Sequence, residues 1–399
     1  PITVNQDGEL LQYMKDVDGN YGWFGGAESE AIDEFYAETP QDGGYGMGYP
    51  KVVYLRKPDS GEVTAHIGVT RQYQDPINHA KIEEEVDGMP VTRIRDFTNR
   101  DMEYVDITDS VTIIEGVAFY DNVRLKKVEV PGSVRHIGDI AFSDCLSLEK
   151  ITFEEGLETI GETAFYSCDT LSDITIPASV HTIGNNAFYY CKNLKRVDIQ
   201  DLGAWVGINF ANAGANPLFN SDYSELRLDS WVQEYVEIPE GTTSIGAYAF
   251  YNYDLLREIT IPASVQSIGV QAFDGCDNLE TINFRDTTDR WLDMYRPNNR
   301  KVVCTDDTIL SSGNSSEVTY VVMESGLLRI GGIGPITNKQ WSNYNEVITR
   351  VEIGSGITEI GDYTFAYLRN LTSLSIPDTV TSIGNNAFSE CLALESVFI

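Results

Sequence analysis

The groups in this chain that could carry chemistry are four histidines, six cysteines and a large excess of carboxylates. His66, His79, His136 and His181 are scattered. None stands in the local spacing of a known nucleophile or metal motif: Gly-x-Ser-x-Gly, His-Glu-x-x-His and the nucleotide-binding glycine patterns are all missing. Five cysteines, Cys145, Cys168, Cys191, Cys276 and Cys391, share one place in a repeat set out below, which reads as a small buried apolar side chain. Stacked neighbours such as Cys145 and Cys168 would come near enough for a disulfide, though nothing requires one. Cys304 falls outside that pattern. With no C-x-x-C pair, a zinc site is not expected. Asp16-Val17-Asp18-Gly19-Asn20 starts like a calcium loop, but the positions that need glycine and a bidentate glutamate hold Tyr21 and Ala27, so it reads as an acidic turn. Gly331-Gly332-Ile333-Gly334 lacks the lysine and helix start of a phosphate cradle. Carboxylates are numerous enough for a glycosidase-like pair, yet nothing sets one such pair in an apolar pocket. The reading is of a binding protein, with no catalytic residue, metal or cofactor assigned.

Composition narrows the partners. Sixty-one acids against 28 bases give a net charge of −33. That disfavours nucleic acid, where lysine and arginine supply affinity by neutralising phosphates, and an anionic membrane surface. The acidity serves either solubility of a long exposed surface or attraction of a cationic partner or calcium. No run of about 18 apolar residues exists to span a membrane. No signal peptide is present, and the start at Pro1 reads as a trimmed end.

What must position any functional side chain is a repeat. Residues 176–199, IPASVHTIGNNAFYYCKNLKRVDI, recur along most of the sequence. The Ile/Phe pairs are Ile114/Phe119, Ile137/Phe142, Ile160/Phe165, Ile183/Phe188, Ile245/Phe250, Ile268/Phe273, Ile360/Phe365 and Ile383/Phe388, with steps of 23 residues inside each run. A fixed period of this length means a solenoid in the leucine-rich-repeat range. In Leu194-x-x-Val197-Asp198-Ile199 alternate apolar residues predict a short strand with one face inward, ended in the preceding copy by Pro177. Val180 and Ile183 give a second inward edge, and Gly184 a turn that a side chain would obstruct. Ala187 and Phe188 are expected to open a compact helical corner that Cys191 and Leu194 close. One coil cannot bury its apolar edge alone, so neighbours stack and the core becomes continuous.

Ile174-Thr175-Ile176-Pro177-Ala178-Ser179-Val180, then Ile183-Gly184 and Ala187-Phe188-x-x-Cys191, resemble the unit of BspA-like leucine-rich repeat proteins, a bacterial cell-surface class. The likeness covers roughly residues 82–399. It implies a right-handed leucine-rich-repeat superhelix of 23-residue coils, each a short strand and a helical turn, mostly β and irregular. It also implies an exported or surface-attached adhesin-like protein that meets a protein or glycan, of host or matrix origin. Solenoids carry many unrelated partners, so the fold does not name one. The alternatives are a structural spacer or assembly module, and an enzyme whose chemistry lies in residues 1–49 or in the insertions.

Along the chain, residues 1–49 belong to no repeat; 29–38 could form a short helix with Ile32, Phe35 and Tyr36 on one face, and 42–49 a glycine-rich loop. Residues 50–100 read as a cap with a degenerate first turn, including a hairpin around Pro58-Asp59-Ser60-Gly61. Residues 101–399 hold the repeats, interrupted at about 201–231 and 287–339. Trp205, Phe210 and Leu218 are expected to pack the first interruption on the solenoid side; the second holds a polar loop at 311–316 and a hairpin from 318–323 to 327–330. Four periods separate Ile268 from Ile360, room for two irregular turns besides loops.

Alternation along the strands picks out the outward side chains of the expected concave face: Tyr104, Lys127, Lys150, Arg196, Tyr235 and Arg350 are the candidate binding residues. Lys127, Lys150 and Arg196 form a basic row. That row either reads a partner's acidic edge or pairs with nearby acids at little gain. The final strand places Val397 and Ile399 toward the core with an apolar edge beyond them, which suggests end-to-end association of copies or a further coil.

Overall fold

The computed structural model describes residues 79–399 apart from 87, 96, 98–101, 221–223, 295–300, 316 and 338. Within 1–78 it describes the strands Ile2–Val4, Leu10–Lys15, Tyr21–Gly25, Glu34–Ala37, Lys51–Arg56 and Val63–Gly68. Two compact units are present. The first comprises Pro1–Gln233, Ile245–Leu255 and Gly269–Asp277; the second comprises Glu234–Ser244, Leu256–Ile268 and Asn278–Ile399.

In the first unit every regular coil contributes two rungs. The Leu-x-x-Ile-x-Ile strands stack parallel and in register, so Lys150 lies opposite Asp173 and Asp173 opposite Arg196. The inward Ile151, Ile174 and Val197 have essentially no exposure. The Val-x-x-Ile edge forms a second parallel ladder of two-residue rungs, His136–Ile137, Thr159–Ile160 and Thr182–Ile183. Next to it, coils approach so closely that a Cβ on Gly184 would lie 2.5 Å from the Glu162 backbone nitrogen, which is why this position is glycine. The phenylalanines stack down the centre: Phe119, Phe142, Phe165 and Phe188 have ring centroids 4.8–5.3 Å apart and planes within 8° of parallel.

The corner around that phenylalanine is not helical, contrary to the expectation from Ala187-Phe188. Residues two before and two after each phenylalanine are left-handed: Val117 and Asp121 (φ 56° and 57°), Ile140 and Asp144 (62° and 59°), Thr163 and Ser167 (51° and 61°). This turn edge has its own hydrogen-bond ladder. Val117, Phe119 and Asp121 donate their N–H groups to the carbonyls of Asp139, Ala141 and Ser143 in the next coil, at 2.7–3.0 Å. Stacking fixes the turns; local propensity would not choose Val or Ile for them.

The expected hairpin is present, Lys51–Arg56 antiparallel to Val63–Gly68, and Val63–Gly68 joins the second ladder beside Met89–Ile94. Glu34–Ala37 adds a further antiparallel strand on Lys51–Arg56, so the helix read over 29–38 is at least in part a strand. The calcium-like 16–20 and the glycine-rich 42–49 lie outside the described residues.

The stretch at 201–231 is a coil in its own right rather than a break. Asn209–Phe210 pairs with Thr182–Ile183, a step of 27 residues, and Glu225–Leu228 with Arg196–Ile199, a step of 29, where regular coils step 23. Helix α1 (Leu202–Gly207), capped by Asp201 Oδ1 accepting from the Ala204 N–H at 2.7 Å, takes up the extra length. Trp205, Phe210 and Leu218 are buried in it. Asp229 and Ser230 both take positive φ (51° and 69°), which folds Trp231–Val232 back antiparallel on the last strand.

The second unit carries a ten-stranded sheet, from Tyr235–Glu237, Glu258–Ile261, Thr281–Phe284 and Lys301–Val303 through an antiparallel hairpin region to Leu327–Gly332, Arg350–Ile353, Ser373–Ser375 and Ser396–Phe398. The expected hairpin, Val318–Met323 with Leu327–Gly332, forms; of the polar run at 311–316, expected as a loop, residues 311–315 instead belong to the strand Thr308–Ser315, with Ser311 and Ser312 buried. Helix α2 (Thr288–Met294) sits after Thr281–Phe284 as α1 does after its strand, and Trp291 is buried against Phe284. Trp341 takes the place of a phenylalanine, stacked at 5.9 Å on Phe365, which stacks at 5.4 Å on Phe388. In the last rung Val397 stands opposite the core residue Leu374 but is 45% exposed, and Ile399 is 94% exposed, so neither is buried as the alternation predicts. Among the described residues no helix is long and apolar enough to cross a membrane.

Candidate binding surface

Because the strands are parallel and in register, outward side chains form straight columns. In the first unit one column runs His79, Tyr104, Lys127, Lys150, Asp173, Arg196, Glu225. Beside it runs Asp106, Glu129, Thr152, Thr175, Asp198, Arg227. Four of the six candidate residues, Tyr104, Lys127, Lys150 and Arg196, are therefore neighbours on one surface. Tyr235 and Arg350 are not: they lie in the sheet of the second unit, separated there by six intervening strands.

The basic row is mostly neutralised. Lys127 reaches Glu129 at 2.5 Å, and Arg196 reaches Asp173 at 2.6 Å. Arg227 lies within 3.9 Å of both Asp198 and Glu225. Tyr104 is flanked as well, with the Lys126 ammonium 5.8 Å from its ring centre and His79 edge-on at 6.1 Å. Hydrogen bonding to Lys126, with help from Arg124, holds the Glu103 carboxyl below its usual range. Among the described residues of this column, Lys150 is the cation without an ion pair. These exposed pairs add little stability; what they do is fix an alternating pattern of charge on a rigid surface.

The second unit's outward face is built differently. Tyr235, Glu258, Thr281 and Lys301 form one column, and Glu237, Thr260, Asn283 and Val303 the next. At the strand ends an open recess of about 340 Å³ is lined by Thr260, Asn283, Phe284, Arg285, Val303, Cys304 and Thr305. Asn283 donates from Nδ2 to Glu258 Oε1 at 2.6 Å, and Arg285 spans Glu237 at 2.5 Å and Glu240 at 3.1 Å. Burial, followed by the nearby Asp306, Asp286 and Asp307, pushes the Cys304 thiol up to about 12, so it stays a neutral thiol at physiological pH. Farther along the same sheet Arg350 lies 3.7 Å from Glu352, which also meets Arg329.

The cysteines at the shared repeat position do more than fill space. Each thiol donates to the carbonyl of the phenylalanine one coil back: Cys145 to Phe119 at 3.2 Å, Cys168 to Phe142 at 3.2 Å, Cys191 to Phe165 at 3.1 Å. All six cysteines are free. Asn122, at the same place in its coil, makes the same bond to Phe97 at 2.8 Å. That Asn-for-Cys exchange was the sequence signal for a donor, and an apolar reading of the position misses it.

Short parallel rungs, an aromatic column and a carbonyl-capping Cys or Asn define a leucine-rich-repeat solenoid. The chain belongs to the BspA type leucine rich repeat region family, matching it in six copies over residues 93–208, 230–294 and 336–399, together more than half its length. Solved structures it is similar to include a leucine-rich repeat protein from Bacteroides ovatus, at 19% identity over 88% of this chain and 94% of that one, with a TM-score of 0.34. A leucine rich cell surface protein from Faecalibacterium prausnitzii matches at 22% over 92% and 78%, TM-score 0.32. The pneumococcal vaccine antigen PcpA matches at 18% over 87% and 85%, TM-score 0.32. A search of curated proteins finds no match. The family assignment rests on the repeat, and such proteins generally mediate interactions rather than catalysis.

Proposed function

We propose that this chain is displayed outside a bacterial cell and uses its solenoid to bind a protein or glycan of host or matrix origin. The observation that carries the reading is the in-register array of outward side chains: a partner meets a fixed charge pattern whose groups need no ordering on binding, which lowers the entropic cost of association. Lys150, flanked by Thr152 and Thr175, supplies the uncommitted cation on which a partner carboxylate would settle. The test is surface plasmon resonance of the immobilised chain against an extracellular-matrix preparation and a mucin preparation. Saturable binding, weakened at least fivefold by K127E/K150E, is expected; no saturable binding to either would overturn the reading.

A further inference from the structure

Resting on the binding role proposed above, we infer that the recess on the second unit's outward sheet face is a saccharide-binding site that takes a neutral, hydroxyl-rich glycan unit, with Tyr235 as the flanking aromatic surface.

The recess has the size of a small-ligand site, and its volume of about 340 Å³ is open to solvent. That openness suits one or two residues of a larger glycan, since the rest of such a chain must leave the site. Its polar groups come in adjacent donor and acceptor sets. The Asn283 amide is paired to Glu258 through one hydrogen of Nδ2, which leaves its carbonyl oxygen and second hydrogen for a ligand. Thr260 contributes a hydroxyl in the neighbouring rung. The Arg285 guanidinium lines the recess and is held in place between Glu237 and Glu240, so its plane is fixed before a ligand arrives. Neighbouring sugar hydroxyls each donate and accept, so planar amide and carboxylate groups that are already oriented match them in pairs.

Charge selects against the other ligand classes. An anion is disfavoured because Arg285 is already neutralised by two carboxylates, and Asp286, Asp306 and Asp307 lie close enough to act on Cys304 inside the recess. A cation is no better served. Asp306 already accepts from the Thr288 N–H and hydroxyl at 2.8 and 3.0 Å, and Asp307 from the Thr308 N–H at 2.7 Å. An added peptide strand needs a free edge, whereas this recess lies on rungs that are paired on both sides.

Tyr235 supplies the apolar component. It is 69% exposed, and it stands one rung over and two residues back from Thr260. Tyr235 does not line the recess itself; it stands beside it in the column of Glu258, where an exposed ring offers the C–H face of a glycan unit that extends out of the recess a surface to lie on. Nothing in the packing of the first strand of this sheet requires an aromatic there, since the inward position next to it is Val236.

The test uses the full chain and saturation-transfer NMR with the methyl glycosides of glucose, galactose, mannose and N-acetylglucosamine, together with their short oligomers. At least one should show transfer to its ring protons. Y235A and N283A, both surface changes outside the core, should each weaken that ligand about tenfold with an unchanged melting temperature. Y120A, an exposed turn tyrosine of the first unit with no assigned binding role, should leave it unchanged. The inference is overturned if no compound in the panel gives transfer, or if the signal survives both recess variants, or if Y120A reduces it equally. A blank panel alongside saturable matrix or mucin binding would sink this site alone; the loss of both would sink the broader reading as well.

Discussion

The Trp205 indole donates to the Ala249 carbonyl at 3.1 Å. In regular coils the equivalent alanine carbonyl accepts a backbone N–H from the phenylalanine of the coil before, as Ala141 does from Phe119 at 2.7 Å. In the 201–231 coil it is side chains that serve this carbonyl, the indole being assisted by Asn216 Nδ2 at 3.2 Å. Trp205→Phe keeps an aromatic ring and removes the donor. It should lower stability by about 1–3 kcal/mol, the range for a buried acceptor left short of a partner, read as a shift of the urea midpoint at unchanged slope. A shift within error would mean that Asn216 alone satisfies Ala249.

Ile140 is β-branched, left-handed at φ 62° and at the surface. Left-handed backbone costs an ordinary L-residue about 1–2 kcal/mol, whereas asparagine tolerates it. Asn186 stands at the same place two coils on. Ile140→Asn should therefore raise stability by about 1 kcal/mol, against the usual direction of surface changes. Chemical denaturation will show this, and a loss of stability would mean that the Ile140 side chain makes contacts worth more than the strain.

Cys168 tests the role of the thiol. Cys168→Ala removes the donor to Phe142 and a buried sulfur, and should cost about 1–2 kcal/mol. Cys168→Ser retains a donor and should recover part of that loss. A serine variant no better than alanine would show that only volume matters. Native-state labelling with a bulky thiol reagent at pH 8 should be slow for Cys145, Cys168 and Cys191, which are buried, and slow also for Cys304, whose thiol is pushed up to about 12.

Asp286 carries a pH dependence of known sign. Its hydrogen bond to Arg290, and then the one from the Thr287 N–H, lower its pKa. Arg290 in turn ties α2 to the Ala263 and Val265 carbonyls at 2.7 and 3.0 Å. A carboxyl with a depressed folded-state pKa stabilises the fold above its ordinary titration range and loses that contribution as pH falls through the depressed value. The melting-temperature difference between the parent and Asp286→Asn should be present at pH 7 and close as the pH falls below the usual aspartate range. A difference constant down to pH 3 would mean the ion pair is not the source.

The period, the inward residues and the paired edges could be read from residues such as Val180, Ile183 and Phe188, because burial imposes a side-chain pattern that repeats with the coil. The corner could not. Val117, Ile140 and Thr163 are poor choices for left-handed backbone, so local propensity pointed away from the conformation that stacking enforces. Alternation correctly placed Lys127 and Arg196 outward, but it cannot tell which rotamer reaches Glu129 or Asp173. Nor did it show that Tyr235 starts a different sheet. That depends on the two-residue turn at Asp229-Ser230, which carries no glycine to announce it. The recess beside Asn283 gathers residues from three rungs and a following loop, and no local motif marks it.

The turn-edge ladder gives each coil a head and a tail. Donors always face the higher-numbered neighbour, from Val117 toward Asp139 and again from Phe250 toward Ala272. Excising or copying a block of 23 residues among the regular coils therefore rejoins donor to acceptor at a single seam, while a reversed block, or one that is not a whole number of coils, leaves both sides unmatched. The ladder is therefore matched for any whole number of such coils. The coil that bears Trp205 and Asn216 cannot be shuffled in this way, because it brings its own donors for one particular neighbour. It is the fixed address from which the regular coils can be counted.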